Sequence, residues 1–177
     1  MGSPKHALPF AGTTLLARVV EAASGAFERV IAVQRPRGAP MPIETIEEET
    51  HEDEAPIFGV ARAIRHANGK CFILAVDFPL LTTSLLRRLA ATFEQSDKPL
   101  LVPEFSGRPQ VLCAGYSPAI LTRIDSQIAQ RRYDLRSLVS EAELVAIDDA
   151  ALTSVNTTEE LEEAKRLYEQ SRLLASR

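Results

Sequence analysis

Residues 71–76 of this chain, Cys-Phe-Ile-Leu-Ala-Val, are apolar without a break, and Asp77-Phe78-Pro79 follows them. A run so short and so uniformly apolar predicts a strand covered on both faces, as in a parallel sheet between helical layers. Pro79 stops the run and leaves Asp77 at its carboxyl end. Ligands of open α/β sheets bind along that edge. A carboxylate there can hold a hard cation such as Mg2+, which in turn grips phosphate oxygens. It can equally cap the turn or helix that follows, and this segment alone leaves both readings open.

Helical and strand patterns alternate around this run. Residues 13–26 put Leu15, Leu16, Val19, Val20 and Ala23 on one helical face. Val30-Ile31-Ala32-Val33 predicts a short buried strand, residues 36–42 a Pro/Gly-rich loop and residues 43–46 a further strand. Pro56 opens a helix carrying Val60, Ala61, Ile64 and Ala67, and Asn68-Gly69 closes it. Thr82 or Thr83 caps a helix presenting Leu85, Leu86, Leu89 and Phe93. Strands are predicted over 100–102 and 110–116 on either side of a Ser106-Gly107 turn, and again over 144–147. Ser117-Pro118 opens another helix, and residues 134–140 form a short one. Thr157-Thr158-Glu159-Glu160 is a capping box for a last helix bearing Leu161, Ala164, Leu167 and Tyr168. Such alternation predicts one α/β domain over residues 1–177, a mostly parallel, Rossmann-like sheet flanked by helices. No strand precedes the first helix. The chain opens in residues 1–12, Met1-Gly2-Ser3-Pro4-Lys5 through Gly12, a loop by composition.

The chain has 177 residues, 45% hydrophobic and 25% charged, with a formal net charge of −4. That balance argues against general nucleic-acid binding, which usually needs a basic surface. A nucleotide substrate stays compatible, because a few placed cations and one metal suffice. No apolar stretch is long enough to span a membrane, and no signal-peptide core is present, so a cytoplasmic location is expected. Cys71 and Cys113 fall inside apolar strand runs and are expected buried and reduced. His6, His51 and His66 lack metal-ligand spacing and are expected at the surface.

Lys5, set among small residues just ahead of a helix, is either a solvated lysine at a frayed terminus or a phosphate-neutralising cation. Residues 47–54 are acidic everywhere except Thr50 and His51, which predicts a solvated, mobile loop. The functional alternative is one carboxylate that contacts a ligand. Arg131-Arg132 beside Tyr133 is either a solvated helix end or a contact for an anionic phosphate. Asn156 is either a turn or cap residue or part of a site.

Taken together, these blocks resemble the molybdenum cofactor guanylyltransferases, the MobA family. Gly2-Ser3-Pro4-Lys5 with Leu8-Pro9-Phe10-Ala11-Gly12 is similar to the second half of the signature Leu-Ala-Gly-Gly-x-Ser-x-Arg-Met-Gly-x-x-Lys. Ala55-Pro56-Ile57-Phe58-Gly59-Val60 resembles the family's Gly-Pro-Leu-x-Gly-Ile, and Val76-Asp77-Phe78-Pro79 its Cys-Asp-x-Pro. The segment from Arg108 to Tyr116 resembles Arg-x-x-Pro-Leu-x-x-x-Tyr. Asp134-Leu135-Arg136-Ser137-Leu138 and the block from Asn156 to Leu161 match two further motifs.

The resemblance implies a nucleotidyltransferase fold and transfer of GMP from GTP to the phosphate of molybdenum-bound molybdopterin, with pyrophosphate released. It implies Mg2+ on Asp77, and Lys5 on the nucleotide phosphates together with Gly2 and Ser3. Asn156 matches an asparagine near the active cleft. Gln34 and Glu48 fall near family positions around the guanosine. Implied partners are GTP, molybdopterin and proteins that handle the molybdenum cofactor. A cytidylyltransferase using CTP, and a shortened non-catalytic nucleotide-binding relative, are the alternatives. The chain departs from the pattern at its start, where the first strand and the Gly-Gly-x-Ser-x-Arg loop are absent. Either translation begins upstream of Met1 or the protein is a shortened relative. A sheet without that strand is expected to expose two unpaired edges.

Overall fold

The computed structural model describes residues 5–36, 38 and 40–175. Local chemistry sets most element bounds. Helix α1 (Leu15–Ser24) is capped by the Thr14 hydroxyl, which accepts from Ala17 N at 3.2 Å. Helix α2 (Pro56–Ala67) has its proline in the first turn, where no N–H is needed, and ends at Asn68 in the left-handed region. Helix α3 (Thr83–Gln95) starts at Thr82, whose hydroxyl accepts from Leu85 N. Helix α4 (Leu121–Ala129) follows Ser117-Pro118, and α5 (Thr158–Ala175) follows the capping box. In that box Glu160 N donates to Thr157 Oγ1 at 3.1 Å while the Glu160 carboxylate accepts from Thr157 N at 3.0 Å. Residues 134–140, expected as a short helix, form a 3-10 turn over Leu135–Glu141.

Strands β1 (Pro9–Phe10) and β2 (Thr13–Thr14) make a small hairpin, where the sequence predicts loop up to Gly12 and helix from Thr13. Strand β3 (Ala32–Gln34) pairs in parallel with β4 (Thr45–Glu47). The main sheet holds β5 (Cys71–Leu74), β6 (Leu100–Phe105), β7 (Arg108–Pro109), β8 (Cys113–Tyr116) and β9 (Ala142–Ala146). Its pairing corrects the expectation of a mostly parallel, Rossmann-like sheet. Only β6–β9 is parallel there, whereas β5–β8, β6–β8 and β6–β7 are antiparallel. The cause is the two-residue turn at Ser106-Gly107, with φ of 50° and 70°. Two successive left-handed residues fold the chain straight back along β6. The returning segment lies between β5 and β6, and a kink at Gln110, whose N–H donates to Pro103 O, splits it into β7 and β8.

Alternate residues of β6 face opposite helical layers. Leu101 packs with Val19, Leu85, Leu89 and Phe93 of α1 and α3. Leu100 and Val102 pack with Ile57, Val60 and Ile64 of α2 and Ile124 of α4. A third cluster joins Phe10 and Leu15 to Val155, Leu161 and Ala164, so α5 is clamped to the start of the chain. β8 and the first four residues of β6 are buried, yet all four residues of β5 are only half-buried. The strand expected to be covered on both faces is therefore covered incompletely. Among the described residues no helix is long and apolar enough to cross a membrane.

Candidate functional site

The apolar clamp at the chain's start places its polar neighbours. Phe10 is fully buried against Val155 and Leu161, and the Lys5–Ala7 turn just before it is closed by Leu8 N donating to Lys5 O. Past the end of β5, Ala75 N donates to Leu112 O, and the chain turns through Val76 and Asp77. Asp77 O accepts from Val155 N at 2.8 Å, which fixes the turn against the segment leading into α5. The three side chains that result converge. Lys5 Nζ lies 2.9 Å from Asp77 Oδ1 and donates to Asn156 Oδ1 at 3.0 Å. Lys5 and Asn156 are 151 positions apart in sequence. Both members of the ion pair keep access to solvent, with side chains 32% and 25% exposed. An ammonium has three N–H donors, so one remains for a ligand after Asp77 and Asn156 are served. Asn156 is itself steadied through its backbone N–H, which donates to Glu160 Oε2 at 2.6 Å.

Gln34 and Glu48 sit together at the carboxyl ends of β3 and β4, where Glu48 N donates to Gln34 O at 2.9 Å. The Glu48 carboxylate lies over Gly59 of α2, where a β-carbon would come within 3.2 Å of its Oε2. A glycine at that position is what lets the acid approach the helix. Arg35 Nε stands 3.8 Å from Glu48 Oε1, and its Nη1 is 2.6 Å from Glu54. Arg35 was not singled out from the sequence; its signal was an arginine at a strand end with an acidic run after the next strand. Among the described residues no hydrogen bond or ion pair joins the Gln34–Glu48 pair to the Lys5–Asp77–Asn156 group. Gly2 and Ser3 lie outside the described residues.

The acidic run is exposed past Glu48, as expected of a solvated loop, and three carboxylates of that stretch have partners. Tyr133 donates its hydroxyl to Asp53 at 2.7 Å, Arg131 pairs with Glu52 at 3.6 Å, and Arg35 pairs with Glu54. The Asp53 contact pushes the Tyr133 phenol above its ordinary range. Exposed His51 stacks on Phe58 with centroids 3.8 Å apart, and half-buried His66 has an unpartnered Nε2. His51, Phe58, Arg62, Arg65 and Asp125 line a cavity of about 220 Å3 that contains none of the Lys5–Asp77–Asn156 group.

Among the described residues no three His, Cys, Asp or Glu side chains gather into a metal cage. Asp77 is a lone carboxylate at a strand end. That donor set fits Mg2+, which is commonly held by one or two carboxylates with substrate phosphates and water completing its shell.

Residues 1–147 match the model of the MobA-like NTP transferase domain. A "probable molybdenum cofactor guanylyltransferase" from Mycobacterium bovis is 30% identical over 170 residues, covering 89% of this chain and 83% of the relative. One of the same description from Thermococcus kodakarensis is 29% identical over 115 residues, covering 60% of this chain and 56% of its own length. Among solved structures, molybdopterin-guanine dinucleotide biosynthesis protein A from Archaeoglobus fulgidus superposes with a TM-score of 0.80 at 21% identity, over 96% of this chain and 92% of that one. A cytidylyltransferase for 2-C-methyl-D-erythritol 4-phosphate from Thermus thermophilus shares the fold, with a TM-score of 0.72 at 18% identity over 94% of each chain. The mixed sheet between helical layers and the match over most of the length lead to one conclusion: this chain belongs to the MobA-like NTP transferase family.

Proposed function

We propose that this chain, acting as one cytoplasmic domain, transfers GMP from GTP to the phosphate of molybdopterin carrying molybdenum. A phosphate oxygen of the pterin forms a bond to the α-phosphorus of GTP. The bond from that phosphorus to the β-phosphate oxygen breaks, and pyrophosphate leaves with its electron pair. The observation that carries the reading is the meeting of Lys5, Asp77 and Asn156 at the carboxyl end of β5. The description shared by its bacterial and archaeal relatives supports the substrate.

Charge and position do most of the work in such a transfer. Lys5 directs its remaining N–H to a phosphate oxygen and offsets the charge that builds on the leaving group. Asn156 holds the ammonium in place, because Oδ1 takes one of its donors. Mg2+ bound at Asp77 would polarise a phosphoryl oxygen and neutralise further charge. Glu48 is assigned to the base. Its carboxylate accepts from two adjacent guanine donors, the ring N–H and the amino group. Cytosine sets an acceptor beside its amino group and would turn a lone pair toward the acid. Gln34, on the neighbouring strand, borders the same place.

The test is pyrophosphate release with molybdopterin, Mg2+ and either GTP or CTP. GTP is expected to outpace CTP by at least about a hundredfold, a conservative floor for a site whose polar groups the wrong substrate leaves unpaired. Glu48→Ala is expected to erase most of that preference. Turnover of CTP at or above the GTP rate overturns the assignment.

A further inference from the structure

The ends of β3 and β4 set a cation beside the carboxylate assigned to the base. The two strands run parallel with Gln34 opposite Glu47, so the next residues, Arg35 and Glu48, leave the ladder side by side. Alternation along a strand puts Arg35 on the face of Val33 and Glu48 on the face of Ile46, and registered partners share a face. That face looks toward α2. Val33 and Glu48 both reach Gly59, where a β-carbon would stand 3.9 Å and 3.2 Å from their side chains. Arg35 therefore lies over the start of α2. Its Nη1 stands 2.6 Å from Glu54, two residues ahead of Pro56, and its Nε is 3.8 Å from Glu48 Oε1. Both members of the Arg35–Glu54 pair are exposed, and a pair so exposed adds little to stability. It does aim the guanidinium. The 3.8 Å separation is too long for a hydrogen bond, so Arg35 stands beside the Glu48 carboxylate without spending Oε1.

We propose that Arg35 is a second base-reading residue, its guanidinium donating to guanine O6 while Glu48 takes the ring N–H and the 2-amino group. The inference rests on the assignment of Glu48 to the base in the proposed reaction. Guanine presents three groups in a row along one edge: an amino donor, a ring N–H donor and the O6 acceptor. A carboxylate has only acceptors and satisfies the first two. O6 then needs a donor next to the carboxylate oxygen that holds the ring N–H. Oε2 lies over Gly59 and Oε1 faces Arg35, so Oε1 takes the ring N–H and Oε2 the amino group. The guanidinium approaches its two carboxylates through Nη1 and Nε, and Nη2 carries two further N–H donors. A planar arginine fork is well matched to O6, with the purine N7 beside it. Adenine sets an amino donor where guanine has O6. A lone carboxylate would accept from that amino group, whereas a guanidinium meets it donor to donor. Arg35 thus extends the selectivity of Glu48 from cytosine to adenine.

Calorimetric dissociation constants for GTP, inosine triphosphate and 6-thioguanosine triphosphate, each with Mg2+, separate the two contacts. Inosine lacks only the 2-amino group; the thio analogue replaces only O6, with a weaker acceptor. The wild type is expected to bind GTP at least about tenfold tighter than either analogue, the scale of one hydrogen bond to a charged group. Arg35→Ala and Arg35→Met, the second keeping the aliphatic stem without its donors, are expected to erase the preference over the thio analogue. Both are expected to keep the preference over inosine triphosphate, which also shows that the site is still folded. An unchanged preference over the thio analogue in the two variants overturns the inference. Loss of the inosine preference in them overturns it too, because Arg35 would then act only by holding Glu48. Persistence of the inosine preference in Glu48→Ala instead overturns the assignment of Glu48 to the base, so the two failures are told apart.

Discussion

The two sides of this molecule are built from similar residues and are packed to different standards. In β6 and β8, Leu100, Leu101, Val102, Cys113, Ala114 and Tyr116 are all fully buried. In β3 and β5 the apolar residues are half-buried, although Cys-Phe-Ile-Leu is no less apolar than Leu-Leu-Val. Composition does not separate the two sides; pairing does. A strand with neighbours on both edges is sealed by them, and one with a bare edge stays accessible however apolar its side chains. Asp77 stands just past a strand that belongs to both regimes, paired to β8 on one side and, among the described residues, without a strand on the other.

The contrast can be broken by matched substitutions. Leu101→Ala should destabilise the protein by about 2–5 kcal/mol, since a fully buried leucine leaves a cavity that its neighbours cannot fill. Val33→Ala, on the open side, should cost about 1 kcal/mol or less. Urea unfolding of both variants reads the difference, and equal costs would erase the distinction. Tyr116→Phe should cost about 1 kcal/mol, because the Tyr116 hydroxyl donates to Val111 O at 2.7 Å inside the packed side.

Thiol labelling sharpens the comparison further. Burial pushes the Cys113 thiol up to about 12 and the Cys71 thiol up to about 11. At pH 8 both should react far more slowly than an exposed cysteine, with Cys71 first, because it is only half-buried whereas Cys113 is buried. Mass mapping of iodoacetamide adducts gives the order, and prior labelling of Cys113 would contradict it. The smallest effect concerns Arg29 and Glu44, paired on the surface beside the β3–β4 ladder. Arg29 donates hydrogen bonds to the Glu44 carboxylate and holds it below its ordinary range. A group depressed on folding stabilises above its unfolded pKa and loses that contribution as pH falls through its folded value. The small difference in melting temperature between wild type and Glu44→Gln should thus shrink toward zero in acid.

Much of this architecture was legible from punctuation in the sequence. Pro56 and Asn68 bound α2, Thr82 starts α3, and Thr157 with Glu160 starts α5, because each solves a local hydrogen-bonding problem at a helix end. Strand direction was not legible from apolar runs, since residues 110–116 look the same running either way. The signal that carries direction was the Ser106-Gly107 turn, too short for anything but an antiparallel return. The meeting of Lys5 with Asn156 spans nearly the whole chain, and no periodicity encodes it. It follows from Phe10 and Val155 sharing one cluster. The clasping of the acidic run by Tyr133, Arg131 and Arg35 was likewise hidden, because charge count alone says nothing about where the opposing groups fold to.

The central claim is that Lys5 and Asp77 jointly receive a nucleotide triphosphate. Calorimetric titration of GTP with Mg2+ into the wild-type chain, and into Lys5→Ala and Asp77→Ala, tests it most directly. The account predicts saturable binding by the wild type and a loss of at least about tenfold in each variant, the scale of one removed charge-assisted contact. Undiminished affinity in both variants, or no binding by the wild type, would contradict it.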